Sequence, residues 1–142
     1  MKANSFYDLI SSHRLKANHC FYKSDGTTKL KLEILIHALN FPYNAIMVGN
    51  YNYSHPYLYT TKLCGGITSC IGFINANKTF YPSTILKEDI RNITEKPFPI
   101  IMICCKHKTK LKYKQITRKG RLYNQDIIPI QIKELMDINI FN

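Results

Sequence analysis

Apolar residues recur at helical spacing in the first part of the chain and in short β-like runs after it. Leu32, Leu35, Ile36 and Leu39 fall at i, i+3, i+4 and i+7, with Lys29, Glu33 and His37 opposite, behind a turn at Asp25-Gly26-Thr27-Thr28. That pattern predicts an amphipathic helix. The stretch from Leu30 to Ile34 also alternates as a strand would, and Ile34 and Ala38 widen the apolar arc beyond half the circumference. Upstream, Asn4 is the expected N-cap of a short helix carrying Phe6, Leu9 and Ile10, followed by a basic stretch from His13 to Lys16. After Pro42 the chain is rich in Tyr and Asn, and Gly49 is the expected stop.

Short β-branched or aromatic runs separated by Gly, Asn or Pro predict strands over 57–61, 67–74, 79–81, 100–105 and 113–117. Between two of them, Ser83 or Thr84 is expected to cap a short helical turn over 85–93, before Pro97 and Pro99 reset the chain. Residues 127–141 form an amphipathic closing segment. These elements describe one α+β domain over residues 1–142. Its helical part covers about 1–50, its sheet part about 56–120 and its closing segment 121–142.

Composition supports a single core. The 142 residues are 45% hydrophobic and 20% charged, enough apolar material to fold one domain without disulfides. Five cysteines make an odd set, and neighbours Cys104 and Cys105 point to opposite faces of a strand, so reduced thiols in a cytoplasmic setting are expected. No run reaches the roughly 18 apolar residues that span a bilayer, and the first residues lack a signal-peptide apolar core. The formal charge of +11 attracts polyanions, of which nucleic acid is the most abundant in a cell. Eight basic residues and no acidic one lie between Lys106 and Arg121, which concentrates much of that surplus in one segment.

Five motifs then appear in order: 25–33 (Asp25-Gly26-Thr27-Thr28-Lys29-Leu30-Lys31-Leu32-Glu33), 47–52 (Met47-Val48-Gly49-Asn50-Tyr51-Asn52), 58–63 with Gly65 or Gly66, 70–73, and 81–91. The last, Tyr81-Pro82-Ser83-Thr84-Ile85-Leu86-Lys87-Glu88-Asp89-Ile90-Arg91, is the strongest. Together, from Phe6 to about Gly120, they resemble a nuclease family of phage and other mobile elements. It is the fourth subtype of the superfamily named after barnase, EndoU, colicins and RelE. The resemblance implies a twisted, mainly antiparallel sheet with helices packed on it. It also implies metal-independent cleavage of RNA by attack of a 2′-hydroxyl on the adjacent phosphate. A toxin or mobile-element setting follows, in which a cognate inhibitor, antitoxin or immunity protein, is an expected partner beside RNA. Two positions depart from the family, whose members carry an acidic residue where Asn50 stands and often where Thr61 stands. The family also has a further N-terminal strand region ahead of the part that aligns with Phe6.

Metal-free cleavage needs a proton acceptor, a proton donor and cations around the phosphorane. Lys87 and Arg91 lie four apart, on one face if that turn is helical, with the Tyr81 and Thr84 hydroxyls close by in sequence. With Lys106 they are the expected phosphate contacts, Arg offering its bidentate fork. The plainer reading is a solvated face in which Lys87 and Arg91 pair with Glu88, Asp89 or Glu95. His107, between Lys106 and Lys108, and Tyr113 complete the candidate proton carriers; His55 beside Pro56 reads as a surface residue.

Lys62, Lys108, Lys110, Lys112, Lys114, Arg118, Lys119 and Arg121 are the candidate RNA contacts. The alternation from Lys106 to Lys114 places five ammonium groups on one face of an extended strand, or of a hairpin turning near Thr109. Tyr113 or Tyr123 can stack on a base. Protection of an exposed sheet edge explains the lysines equally well. Alternate Tyr51, Tyr53, Tyr57 and Tyr59 read as a half-buried sheet. Cys64 and Cys70 lack the spacing of a zinc site, and Gly65-Gly66 is a turn or bulge without a nucleotide fingerprint, so neither metal nor cofactor is expected. The second functional class is a catalytically inactive nuclease scaffold that binds nucleic acid or blocks a host protein, which the departures at Asn50 and Thr61 and the shorter N-terminal region motivate.

Overall fold

The computed structural model describes Asp8, Ser12, Arg14 and residues 24–141, so the helix expected around Phe6, Leu9 and Ile10 lies almost wholly outside the described residues. Helix α1 (Thr27–Glu33) begins where the sequence places it. Asp25 Oδ1 accepts from the Thr27 amide at 3.0 Å and from its hydroxyl at 2.7 Å, and Gly26 takes the left-handed conformation at φ 77°. The single long helix is not observed, because Ile34 leaves helical geometry (φ −103°, ψ 2°) and α2 (Leu35–Leu39) starts afresh. The break resets the helical phase. Ile34 is buried, while Ile36 and Leu39 of the expected core stripe are 73% exposed. A one-turn helix α3 (Phe41–Asn44) follows, and its Phe41 ring lies 5.7 Å from that of Phe73 on the sheet.

Five strands form an antiparallel sheet in the order β4-β3-β2-β1-β5. They are β1 (Met47–Asn50), β2 (Lys62–Gly65), β3 (Cys70–Ala76), β4 (Thr79–Leu86) and β5 (Phe98–Pro99). A separate antiparallel hairpin pairs β6 (Met102–Cys105) with β7 (Gln115–Lys119). The fold is α+β, as the order of helical and β-like patterns implies. Among the described residues no helix is long and apolar enough to cross a membrane.

Several boundaries differ from expectation for nonlocal reasons. Gly49 is no stop; it sits inside β1, where a Cβ would lie 2.9 Å from Thr94 Cβ. The strand expected over 57–61 is a loop instead. The Tyr51 hydroxyl donates to the His55 carbonyl at 2.6 Å and accepts from the His55 amide at 2.8 Å, closing a turn in which Tyr53 has φ 58°. Tyr57 is 100% exposed and Tyr59 81%, so only Tyr51 of the four alternating tyrosines is buried. The loop ends on the sheet, where the Phe73 carbonyl accepts from the Thr60 hydroxyl and from both the amide and hydroxyl of Thr61. At that point the β3–β4 register shifts between Gly72 and Phe73, and Pro82 faces Phe73.

Strand β4 runs on to Leu86, which removes Ser83 and Thr84 as caps of a turn over 85–93. The helix there, α4 (Ile90–Ile93), is capped by Asp89, whose carboxylate accepts from the Arg91 amide. Its Ile90 and Ile93 join Tyr51, Leu63 and Cys70 in the core, with Met47, Leu58 and Leu86 packed around them. The closing segment is a 3-10 turn, then α5 (Ile130–Lys133), then a second 3-10 turn, and it buries Ile128 and Met136.

Candidate nucleic-acid interface

The β6–β7 hairpin leaves the main sheet through a tight joint. The Ile100 amide donates to Ile46 O at 2.9 Å, and the Gly120 amide donates to Ile101 O at 2.7 Å. Only glycine fits at 120, since a Cβ there would stand 1.9 Å from Ile100 O. The connection between the strands turns at 107–110, where the Lys110 amide donates to His107 O. The lysine alternation therefore folds over a hairpin end, and the extended-strand alternative is not observed. Residues 105–112 are all exposed, Leu111 by 90%.

The eight cations of this segment divide by what they touch. Arg118 is half-buried and donates from Nη1 to the Tyr43 carbonyl at 2.7 Å, pinning the hairpin to the C-terminal end of α3. Its Nε is buried without a hydrogen-bond partner among the described residues. Lys106 Nζ stands 4.9 Å from the centre of the Tyr113 ring and donates to Leu111 O at 2.9 Å. Lys119 stands 4.8 Å from the centre of the Tyr123 ring. Both distances are within cation–π range. Lys114 is 3.9 Å from Asp137, the one carboxylate in ion-pair range of any of the eight among the described residues. Lys108, Lys110, Lys112 and Arg121 show no ion pair or side-chain hydrogen bond there.

The groups expected to share a scissile phosphate are divided. Lys87 lies between β4 and α4, outside any helix, so it does not share a helical face with Arg91. It binds Glu33 Oε2 at 2.6 Å, and its hydrogen bond and charge hold the Glu33 carboxyl below its ordinary value. Arg91 forks onto Asp89, with Nε 3.0 Å from both carboxylate oxygens; the pairing lowers the pKa of Asp89 and raises that of Arg91. Tyr81 and Thr84 stand on β4, an edge of the main sheet. Lys62 is also on that sheet, donating to Asn50 Oδ1 at 2.8 Å. Lys106, His107 and Tyr113 belong to the hairpin, and no hydrogen bond, ion pair or ring contact among the described residues joins them to the β4–α4 group. The Thr109 hydroxyl lies 2.8 Å from His107 Nδ1, and the Thr109 amide points at the same nitrogen from 3.4 Å. That nitrogen therefore serves the turn.

Sequence reasoning missed the Tyr43 carbonyl that anchors Arg118, a contact across 75 positions with no local signal. Among the described residues no group of three or more His, Cys, Asp or Glu side chains is arranged to hold a metal ion. No family profile, curated protein or solved structure matches the chain.

Proposed function

We propose that the protein binds RNA along the β6–β7 hairpin, by neutralising phosphates without regard to sequence. The observation that carries this reading is the charge accounting of residues 106–121, eight cations with one carboxylate at 3.9 Å from one of them. Like charges crowded on an exposed loop repel one another, and a polyanion relieves that repulsion while releasing its own counterions. RNA is preferred over other polyanions because the chain's motifs resemble those of a ribonuclease family and because Tyr113 and Tyr123 carry ring faces beside the cations.

Cleavage by 2′-hydroxyl attack, with the toxin setting and cognate inhibitor that accompany it, needs an acid, a base and a phosphate clamp in one groove. Lys87 and Arg91 each stand in an exposed ion pair, with Glu33 and Asp89, while Lys106, His107 and Tyr113 lie on a separate hairpin. Because this division of the candidate groups does not assemble one groove, binding without cleavage is the better supported of the two readings. The deciding experiment incubates purified protein with labelled mixed RNA in EDTA, measures binding from 50 to 300 mM salt and resolves the products. The expected result is intact RNA bound with an affinity that falls steeply with salt. Discrete fragments ending in 2′,3′-cyclic phosphate would replace this reading with an endoribonuclease, and absence of binding at 50 mM salt would remove RNA altogether.

A further inference from the structure

Beside the basic hairpin lies an open cavity of about 260 Å³, lined by Met102, Cys104, Tyr113, Ile132, Leu135 and Met136. None of these side chains is charged. The position of Tyr113 is set by its backbone, since its amide donates to Leu135 O at 2.9 Å and its carbonyl accepts from the Asp137 amide at 2.8 Å. Tyr113 is thus a wall of the apolar cavity, and its ring lies beneath the Lys106 ammonium.

We propose that this cavity takes one unpaired base of an RNA strand, stacked against Tyr113, while the strand's phosphates lie along the hairpin lysines. The inference rests on the RNA-binding reading and adds to it a preference for single strands. A flat, weakly polar ring on an anionic chain matches both features at once, a cavity lined without charge and the Lys106 ammonium against the ring of Tyr113. Size limits the occupant, because pockets for drug-sized ligands run from roughly 300 to 1,000 Å³ and about 260 Å³ suits one ring system. Three sulfur-bearing side chains, Met102, Cys104 and Met136, provide the polarisable contacts that aromatic rings favour. A duplex keeps its bases stacked on each other and presents only its backbone, so it reaches the lysines and not the cavity.

The test uses the full chain with a fluorescein-labelled 12-mer of uridine and a blunt RNA duplex of equal length, read by anisotropy at several salt concentrations. Tyr113→Ala is expected to weaken single-strand binding roughly 5- to 150-fold, the range for loss of one base–aromatic stack, with the salt slope and duplex affinity unchanged. Tyr113→Phe keeps the ring and should keep the affinity. Should the alanine variant fail to fold, as judged by circular dichroism, the decision passes to the unaltered protein. Alkylation of Cys104 by N-ethylmaleimide, located by tandem mass spectrometry, should be slowed by saturating single strand and not by saturating duplex. A folded Tyr113→Ala that binds single strands normally, or a Cys104 equally reactive with and without the 12-mer, overturns the base pocket and leaves the hairpin reading standing if lysine substitutions still weaken binding. Failure of the unaltered protein to bind either RNA overturns both.

Discussion

Exchanging Lys108, Lys110 and Lys112 for glutamine removes three charges from the hairpin end without touching its internal bonds, because the turn is held by backbone groups and by His107 with Thr109. For single-stranded nucleic acid each neutralised phosphate contributes about 0.7 to the fall of log K with log salt, so three contacts amount to about 2. Extrapolated over the decade from 1 M to 0.1 M salt, that is a loss of roughly 100-fold, or about 3 kcal/mol, at 0.1 M. The control is a charge-matched variant with Lys29→Gln, Lys78→Asn and Lys96→Gln, three exposed lysines outside the hairpin. Asparagine is chosen at 78 because that residue has φ 65°, which Asn tolerates. Both variants lower the formal charge from +11 to +8. Anisotropy titrations with a labelled 12-mer from 50 to 300 mM NaCl should show a shallower slope for the hairpin variant and the parental slope for the control. Equal slopes for the two variants would refute the local assignment, since net charge alone would then explain the attraction.

Gly120→Ala drives a Cβ into the Ile100 carbonyl, a backbone atom that cannot rotate away, so urea unfolding should show a loss beyond the roughly 1–3 kcal/mol of ordinary overpacking. A variant as stable as the parent would mean the joint is looser than described. Leu63→Ala, at a fully buried side chain in the main core, should cost about 2–5 kcal/mol by the same measurement. Glu33 is depressed below its ordinary 4.5 by Lys87, so its contribution is present above that value and is lost as pH falls through the lower folded-state pKa. Lys87→Met should therefore flatten the acid limb of stability against pH below 4.5, and a limb parallel to the parent's would refute the pairing. Burial pushes the Cys64 thiol up to about 11 and the Cys70 thiol to about 12, whereas Cys105 is exposed, so among the cysteines of the described residues iodoacetamide at pH 8 should modify Cys105 first and reach Cys64 and Cys70 only in denaturant.

Features that depend on neighbours in sequence were legible before the structure. The Asp25-Gly26 start of α1 is one, and the concentration of charge in 106–121 is another, since composition within a segment survives whatever fold it adopts. Features made by distant partners were not. Gly49 looks like punctuation until Thr94 passes over it, and the 57–61 alternation looks like a strand until Tyr51 closes the loop on His55. The four-residue spacing of Lys87 and Arg91 presumes a helix through both, but Asp89 caps α4 between them. The leucine stripe of 32–39 misleads for a related reason, because one non-helical residue at Ile34 changes which side chains face inward. The cavity at Tyr113 draws its walls from β6, from Tyr113 two residues ahead of β7 and from the chain between Ile132 and Met136, so no short window of sequence contains it.

The margins of the main sheet bear on how copies of this chain meet. Strand β4 has Pro82 opposite the register shift, which removes an amide donor where the ladder is already irregular. Strand β5 is two residues long, and one of them is Pro99. Neither margin offers an unbroken row of amides and carbonyls on which a strand from another molecule could polymerise. At the main sheet, contact between copies is thereby left to side chains, such as the exposed Ile36 and Leu39 of α2. Such contacts dissociate on dilution, whereas cross-β growth would not.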